Sequence, residues 1–100
     1  ALMLGKNNIE KIKNLSCLQD LEVLDLHSNK IRVIENLTNL KKLRLLNLAN
    51  NLITNFNDLC YNKVIEELNL RKNTINSIPN NISNLDRLKK LNLGKNVINT

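Results

Sequence analysis

The stretch that decides the fold is LEVLDLHSNKI, at residues 21–31. It returns as LRLLNLANNLI at 43–53, as IEELNLRKNTI at 65–75 and as LKKLNLGKNVI at 88–98, and a partial copy, LMLGKNNI, occupies 2–9. The asparagine near the end of each copy follows its predecessor by 22 residues, except for the last, which follows by 23. A fixed period of this length is the signature of a repeat architecture. The sequence therefore predicts about four and a half repeats, with starts near residues 1, 21, 43, 65 and 88.

Each copy contains a short strand pattern. Leu24 and Leu26 alternate with Val23, Asp25 and His27, which is the period of two that a strand with one buried face requires. Stacked copies then pair as parallel strands roughly 4.8 Å apart. The pattern predicts a continuous parallel sheet along the solenoid.

One asparagine per repeat follows the strand pattern. These residues are Asn7, Asn29, Asn51, Asn73 and Asn96. The chain must turn back at this point, and a buried corner leaves backbone N–H and C=O groups without partners. An Asn amide offers both donors and an acceptor, so we interpret these asparagines as structural.

The return segments carry apolar residues at every third position, the spacing at which a 3₁₀ or short irregular helix keeps one face inward. The residues are Ile9, Ile12, Leu15, Leu18, Ile31, Ile34, Leu37, Leu40, Ile53, Phe56 and Leu59. At Asn62 the expected apolar residue is missing, so we expect a local distortion with Tyr61 or Val64 as the substitute. Pro79, the only proline, predicts an extended or turn start to the fourth return.

These residues together resemble the leucine-rich-repeat superfamily, in its short 22-residue class, which includes phosphatase regulatory subunits and axonemal dynein light chains. Residues 2–9, 24–27 and 46–50 are in addition similar to a ciliary leucine-rich-repeat protein of the tubulin polyglutamylase complex. The resemblance implies an α/β fold, a right-handed solenoid with the parallel sheet on its concave side and 3₁₀, short helical or irregular segments on its convex side. It also implies that the concave face binds another protein.

The composition describes one small globular domain over residues 1–100. Apolar residues make up 42% of the chain and charged residues 24%, with 21 Leu and 10 Ile. There is no apolar run of about 18 residues, so no membrane insertion is expected, and no signal peptide is visible. The chain opens in mid-pattern, and we expect it to be a fragment of a longer protein. Cys17 and Cys60 are expected to be reduced, partly buried thiols, which favours an intracellular, cytoplasmic location.

Function is expected at the strand positions that point away from the core. The first column is Ala1, Val23, Leu45, Glu67 and Lys90, the second Met3, Asp25, Asn47, Asn69 and Asn92, and the third Gly5, His27, Ala49, Arg71 and Gly94. The N-terminal half of this face is apolar and its C-terminal half is charged, a composition typical of protein-binding surfaces. An alternative for Ala1 and Met3 is contact with a preceding repeat.

His27 is the only histidine, and Asp25 lies two residues before it. Such a pair can orient an imidazole for base catalysis or bind a metal. No nucleophile or third ligand occupies a neighbouring position of the face, so a polar contact residue is the favoured interpretation. The sequence predicts a protein that is not an enzyme and has no catalytic residue, cofactor or metal site.

The net charge of +6 is unevenly distributed. Residues 1–70 contain nine basic and eight acidic residues, whereas residues 71–100 contain six basic residues and Asp86 alone. Such a cluster suits nucleic acid, an anionic membrane or an acidic protein, or is simply a solvated face. Nucleic acid is disfavoured because the two aromatic residues, Phe56 and Tyr61, belong to return segments rather than to the binding face.

The sequence thus predicts a non-catalytic scaffold that binds another protein in a cytoskeletal, ciliary or regulatory complex, with an acidic protein as the better fit to the basic cluster. The alternatives are an extracellular recognition module of the receptor type and nucleic-acid binding through the basic C-terminal part. The predicted partner-binding residues are Val23, Asp25, His27, Leu45, Asn47, Glu67, Asn69, Arg71, Lys90 and Asn92. The partner's identity and the oligomeric state are not predicted.

Overall fold

The computed structural model describes residues 1–98 as a single parallel sheet with its connections stacked behind it. The five strands are β1 (Leu2–Met3), β2 (Val23–Asp25), β3 (Leu45–Asn47), β4 (Glu67–Asn69) and β5 (Lys90–Asn92), in the order of the sequence. Every neighbouring pair is parallel, with Leu24 opposite Leu46 and Leu46 opposite Leu68. The predicted solenoid with a parallel sheet is confirmed.

The core lies behind the sheet and is almost wholly aliphatic. Its members are the inward strand leucines and the apolar residues of the return segments, all less than a tenth exposed: Ile12, Leu15, Leu24, Leu26, Ile31, Ile34, Leu37, Leu40, Leu43, Leu46, Leu48, Ile53, Phe56, Leu59, Ile65, Leu68, Leu70, Ile75 and Leu85. Since each repeat presents the same cross-section to the next, one row of branched side chains stacks on another.

The returns turn tightly on the convex side. Two of them contain a 3₁₀ helix, Asn57–Tyr61 and Ile82–Asn84, and the other two make isolated turns such as Leu18 N–H to Leu15 C=O (2.9 Å). Pro79 is buried and precedes the second 3₁₀ helix, whose Ile82 N–H reaches the Pro79 carbonyl at 3.2 Å. The predicted 3₁₀ and irregular character of these segments agrees with the structure.

The repeated asparagines close the corner between strand and return. Asn51 is 5% exposed; its Nδ2 donates to the carbonyls of Leu48 (3.0 Å) and Leu26 (3.1 Å), and its Oδ1 accepts the N–H of Ile31 at 3.0 Å. Each amide thus joins its own repeat to the one before it. The ladder is continuous through Asn29, Asn51, Asn73 and Asn96, and the structural interpretation of these residues is supported by their contacts.

Asn62 occupies the position that holds Leu40 one repeat earlier. It is 2% exposed, whereas Tyr61 is 61% exposed, so the expectation that Tyr61 replaces the missing apolar residue is wrong. The short side chain of Asn62 remains inside because its Nδ2 donates to the buried Leu37 carbonyl at 2.8 Å. The local distortion is real: the third return winds into the longer 3₁₀ helix directly before Asn62.

We expect Asn62→Leu to stabilise the fold by about 1–2 kcal/mol. The Asn62 Oδ1 is buried without a hydrogen-bond partner, and such an atom costs roughly 1–3 kcal/mol. The Leu37 carbonyl would keep the N–H of Leu40 at 3.0 Å, and a cavity of about 100 Å³ beside Asn62 offers room for the larger side chain. Urea unfolding measures the change, with Asn39→Leu on the exposed surface as the control; a variant less stable than the parent would contradict it.

The two cysteines differ in their surroundings. Cys60 is buried, and burial raises the pKa of its thiol. Cys17 is exposed, so the expectation of partial burial is wrong for this residue, because the first return directs it outward rather than into the core. Both thiols are free, as the sequence predicts.

Candidate functional site

The outer face of the sheet forms a wide concave groove of about 750 Å³. The strand register places Val23, Leu45, Glu67 and Lys90 side by side in one column. Asp25, Asn47, Asn69 and Asn92 form the next column in the same way. These eight residues all line the groove. The remaining two predicted site residues, His27 and Arg71, lie just beyond the strand ends, at the rim.

The N-terminal half of the groove is apolar. Val23 and Leu45 are partly exposed, and Met3 is 64% exposed. At the other end, Lys90 lies 3.4 Å from the carboxylate of Glu67, and both side chains remain solvated. The predicted division into an apolar half and a charged half is therefore present on one continuous surface.

The second column has a structural task that the sequence analysis missed. Asn47 Oδ1 accepts the N–H of Ala49 at 3.0 Å, and the same bond, two residues onward, is made by Asp25, Asn69 and Asn92. This side-chain turn ends β2, β3, β4 and β5. An acceptor on a short side chain is enough, so Asp25 serves as well as the three asparagines. The occurrence of Asp or Asn at this position in four successive repeats was the available signal.

His27 is held in place by Asp25. Its Nδ1 lies 2.7 Å from Asp25 Oδ1, and the imidazole is 33% exposed. The ring occupies the space that a Cβ on Gly5 would need, so the glycine of the preceding repeat makes room for it. Among residues 1–98 no group of three His, Cys, Asp or Glu side chains could hold a metal ion. The geometry fits a positioned polar contact residue.

Arg71 is accommodated by a glycine in the same manner. A Cβ at Gly94 would lie 2.6 Å from Arg71 Nη1, so the guanidinium crosses from its own repeat onto the next. Both large side chains of the third column therefore lie over a glycine of a neighbouring repeat.

Ion pairs link neighbouring repeats at the entrance to the strands. Arg44 lies 3.1 Å from Glu22, and Lys89 lies 3.5 Å from Glu66. Lys42 donates a hydrogen bond to Asp20 at 2.9 Å, and this bond raises the pKa of its amine. All are solvated pairs that add little stability, and they leave Lys42, Arg44 and Lys89 each beside an acidic side chain.

A family model for leucine-rich repeats in two copies matches residues 19–61, the segment that contains β2 and β3. The chain has the leucine-rich-repeat fold. Leucine-rich-repeat domains generally mediate protein–protein interactions through concave surfaces of this kind, and they are typically not enzymes.

Solved structures agree with this assignment. A leucine-rich-repeat protein of Leptospira interrogans is 31% identical over 90% of this chain and 24% of that chain, with a TM-score of 0.84. Two internalins of Listeria monocytogenes are also similar. One (inlF) is 30% identical over 90% of this chain and 26% of that one, with a TM-score of 0.83. The other (inlC2) is 27% identical over 99% of this chain and 44% of that one, with a TM-score of 0.88.

The chain spans 24%, 26% and 44% of the length of these three proteins, respectively. No curated protein matches the sequence. The 22-residue subclass and the ciliary similarity stay predictions. In residues 1–98 no helix has the length and apolar character needed to cross a membrane.

Proposed function

We propose that the concave groove binds a partner protein, with its apolar half supplying most of the affinity. The observation that supports this most directly is the partial exposure of Val23 and Leu45 beside Met3, on a surface whose remaining side chains are polar. Burying a Val or Leu side chain contributes roughly 1.5–3 kcal/mol, more than a solvated ion pair does. The polar columns then orient the partner.

The ten predicted contact residues form one two-part surface in this proposal, centred on Val23, Asp25, Leu45 and Arg71. Asp25, Asn47, Asn69 and Asn92 use one side-chain oxygen to end their strands. Their remaining oxygen or Nδ2 is the part available to a partner. Substitution of Asp25 would therefore disturb the strand end as well as binding, and a clean test avoids it.

We expect Leu45→Arg to weaken partner binding by a factor of roughly ten or more while the fold survives. Leu45 is only partly buried, so the arginine can extend into the groove, where it blocks the apolar contact. Affinity capture from a lysate of the source organism, with quantitative identification of the proteins retained, compares this variant with the parent. Circular dichroism checks that both are folded.

Val33→Arg is the matched control, since it places the same residue on an aliphatic position of the convex side that is 55% exposed. A partner that is lost with Leu45→Arg and retained with Val33→Arg supports the groove as the binding site. If both variants retain the same proteins as the parent, the groove is not the interface.

The partner we propose is an acidic protein, because the chain carries a net charge of +6. The two free thiols support an intracellular, cytoplasmic setting. More specifically, we propose that the chain acts there in a cytoskeletal or ciliary complex. An extracellular recognition module is the alternative. The coding sequence on either side of this chain distinguishes the two, because a signal peptide and cysteine-rich caps would favour the alternative.

A further inference from the structure

One position in each repeat, directly before the structural asparagine, adopts a left-handed backbone conformation. These corner residues are Lys6, Ser28, Asn50, Lys72 and Lys95, with φ between 55° and 59°. The fold imposes this conformation, because the corner N–H pairs with the next repeat, as Lys72 does with the Gly94 carbonyl at 2.9 Å. Gly and Asn tolerate it best, and a long side chain gains nothing from it. Lysine at three of the five corners is therefore unfavourable for folding.

Neutral and lysine corners differ in how they meet their neighbours. Asn50 Nδ2 donates to Ser28 Oγ at 3.2 Å, so these two corners bond to each other across the repeats. Lys72 and Lys95 are adjacent in the same way, roughly 4.8 Å apart along the sheet, but they carry like charges. Like charges directly opposite each other destabilise a sheet. Conformation and charge both oppose lysine here, which points to a role other than stability.

Arg71 adds a third cation to this corner. Its guanidinium lies over Gly94, next to Lys95. Among residues 1–98, none of the cations Arg71, Lys72 and Lys95 has an ion-pair partner, in contrast to Lys89 and Lys90. The Glu67 carboxylate, four positions before Arg71, lies 3.4 Å from the Lys90 ammonium instead.

We propose that Arg71, Lys72 and Lys95 form a carboxylate-binding corner that holds an acidic segment of the partner protein where it leaves the concave groove. This inference rests on the proposed function and assigns the acidic part of the partner to a site. Guanidinium binds carboxylate through two parallel hydrogen bonds, and two ammonium groups beside it accommodate a second acidic side chain. A protein fits better than nucleic acid because no aromatic residue stands beside the corner for base stacking. Phe56 is buried, and Tyr61 ends the 3₁₀ helix of the third return segment.

A fluorescent glutamate homopeptide tests the corner directly. We expect the double variant Lys72→Asn/Lys95→Asn to bind it on the order of tenfold more weakly and to unfold at a higher temperature than the parent. The second effect follows because Asn suits the left-handed conformation and removes the repulsion. A simple loss of structure would lower both quantities, so opposite changes identify a site that costs stability.

Lys41→Asn/Lys63→Asn is the matched control. These two exposed lysines also occupy equivalent positions of neighbouring repeats, and neither takes part in an ion pair among the described residues. The control removes the same charge, so its peptide binding should stay close to that of the parent. Equal weakening in both double variants would show a response to net charge alone and would overturn the inference. Tighter binding of a single-stranded oligonucleotide than of the peptide, through the same lysines, would also overturn it.

Leu45→Ser separates this inference from the proposed function. It should lose the captured partner but keep the glutamate peptide. If Leu45→Ser and the corner variant both retain every captured protein, the proposed function fails, whatever the peptide does. If Leu45→Ser loses the partner while the peptide binds the parent and the corner variant equally, only the carboxylate-binding corner fails.

Discussion

Replacing Asn51 with alanine should lower the free energy of unfolding by about 3 kcal/mol. The substitution leaves the Ile31 N–H without its hydrogen-bond partner, deep between two repeats. It also removes one of the two asparagine amides that donate to each of the Leu26 and Leu48 carbonyls. A buried polar group without a partner costs roughly 1–3 kcal/mol. Since the stability of a small domain is typically about 5–15 kcal/mol, this one amide accounts for a large share of it.

Chemical unfolding followed by circular dichroism measures this effect. Asn39→Ala is the matched control, because Asn39 is exposed and its side chain makes no hydrogen bond among residues 1–98. The control should change stability by no more than about 0.5 kcal/mol. Asn7 gives a second comparison: it is exposed at the end of the ladder and bonds only to Leu4 and Gly5 carbonyls through its side chain. If Asn51→Ala falls within the range of these controls, the ladder does not hold the repeats together.

The repeat period predicts nearly all of this fold because every repeat must place the same residue types at the same corners. Leu24 and Leu46 are separated by one repeat of 22 residues in the sequence, and they are directly opposite each other in the sheet. One error arose where a single repeat departs from the others. At Asn62 the hydrogen bond to the Leu37 carbonyl decides which residue lies inside, and the spacing of apolar residues carries no information about it.

The sequence predicts the candidate site less completely than it predicts the fold. The columns follow from the period, so the placement of Val23 and Leu45 on one surface was predictable. The side-chain turns made by Asn47 and Asn69 were missed because their column was assigned wholly to partner contact, whereas a residue that faces outward can still bond to its own backbone. The left-handed backbone at Lys72 was missed for another reason. A glycine at this position would have indicated a positive φ, whereas a lysine does not.

Phe56→Ala is the other substitution with a large expected effect, a loss of about 4 kcal/mol. Phe56 is fully buried in the third return, at the position held by Ile12 and Ile34 in the two preceding repeats. It is the only phenylalanine of the chain, and it belongs to a core of aliphatic side chains whose other members are smaller. Its removal leaves a cavity that the stacked repeats on either side cannot close without moving their backbones.

Phe56→Ile is the control because it restores the residue type of the neighbouring repeats, and we expect it to cost about 1 kcal/mol. Chemical unfolding compares the two variants, and equal losses would contradict the cavity argument. A solenoid adds a second consequence, since each repeat contacts only its neighbours. Weakening the third return should therefore divide the chain into two cooperative units. Hydrogen exchange should then show that the amides around Ile31 and those around Ile75 lose protection at different denaturant concentrations. A single shared transition in Phe56→Ala would show that the repeats unfold together despite the weakened contact.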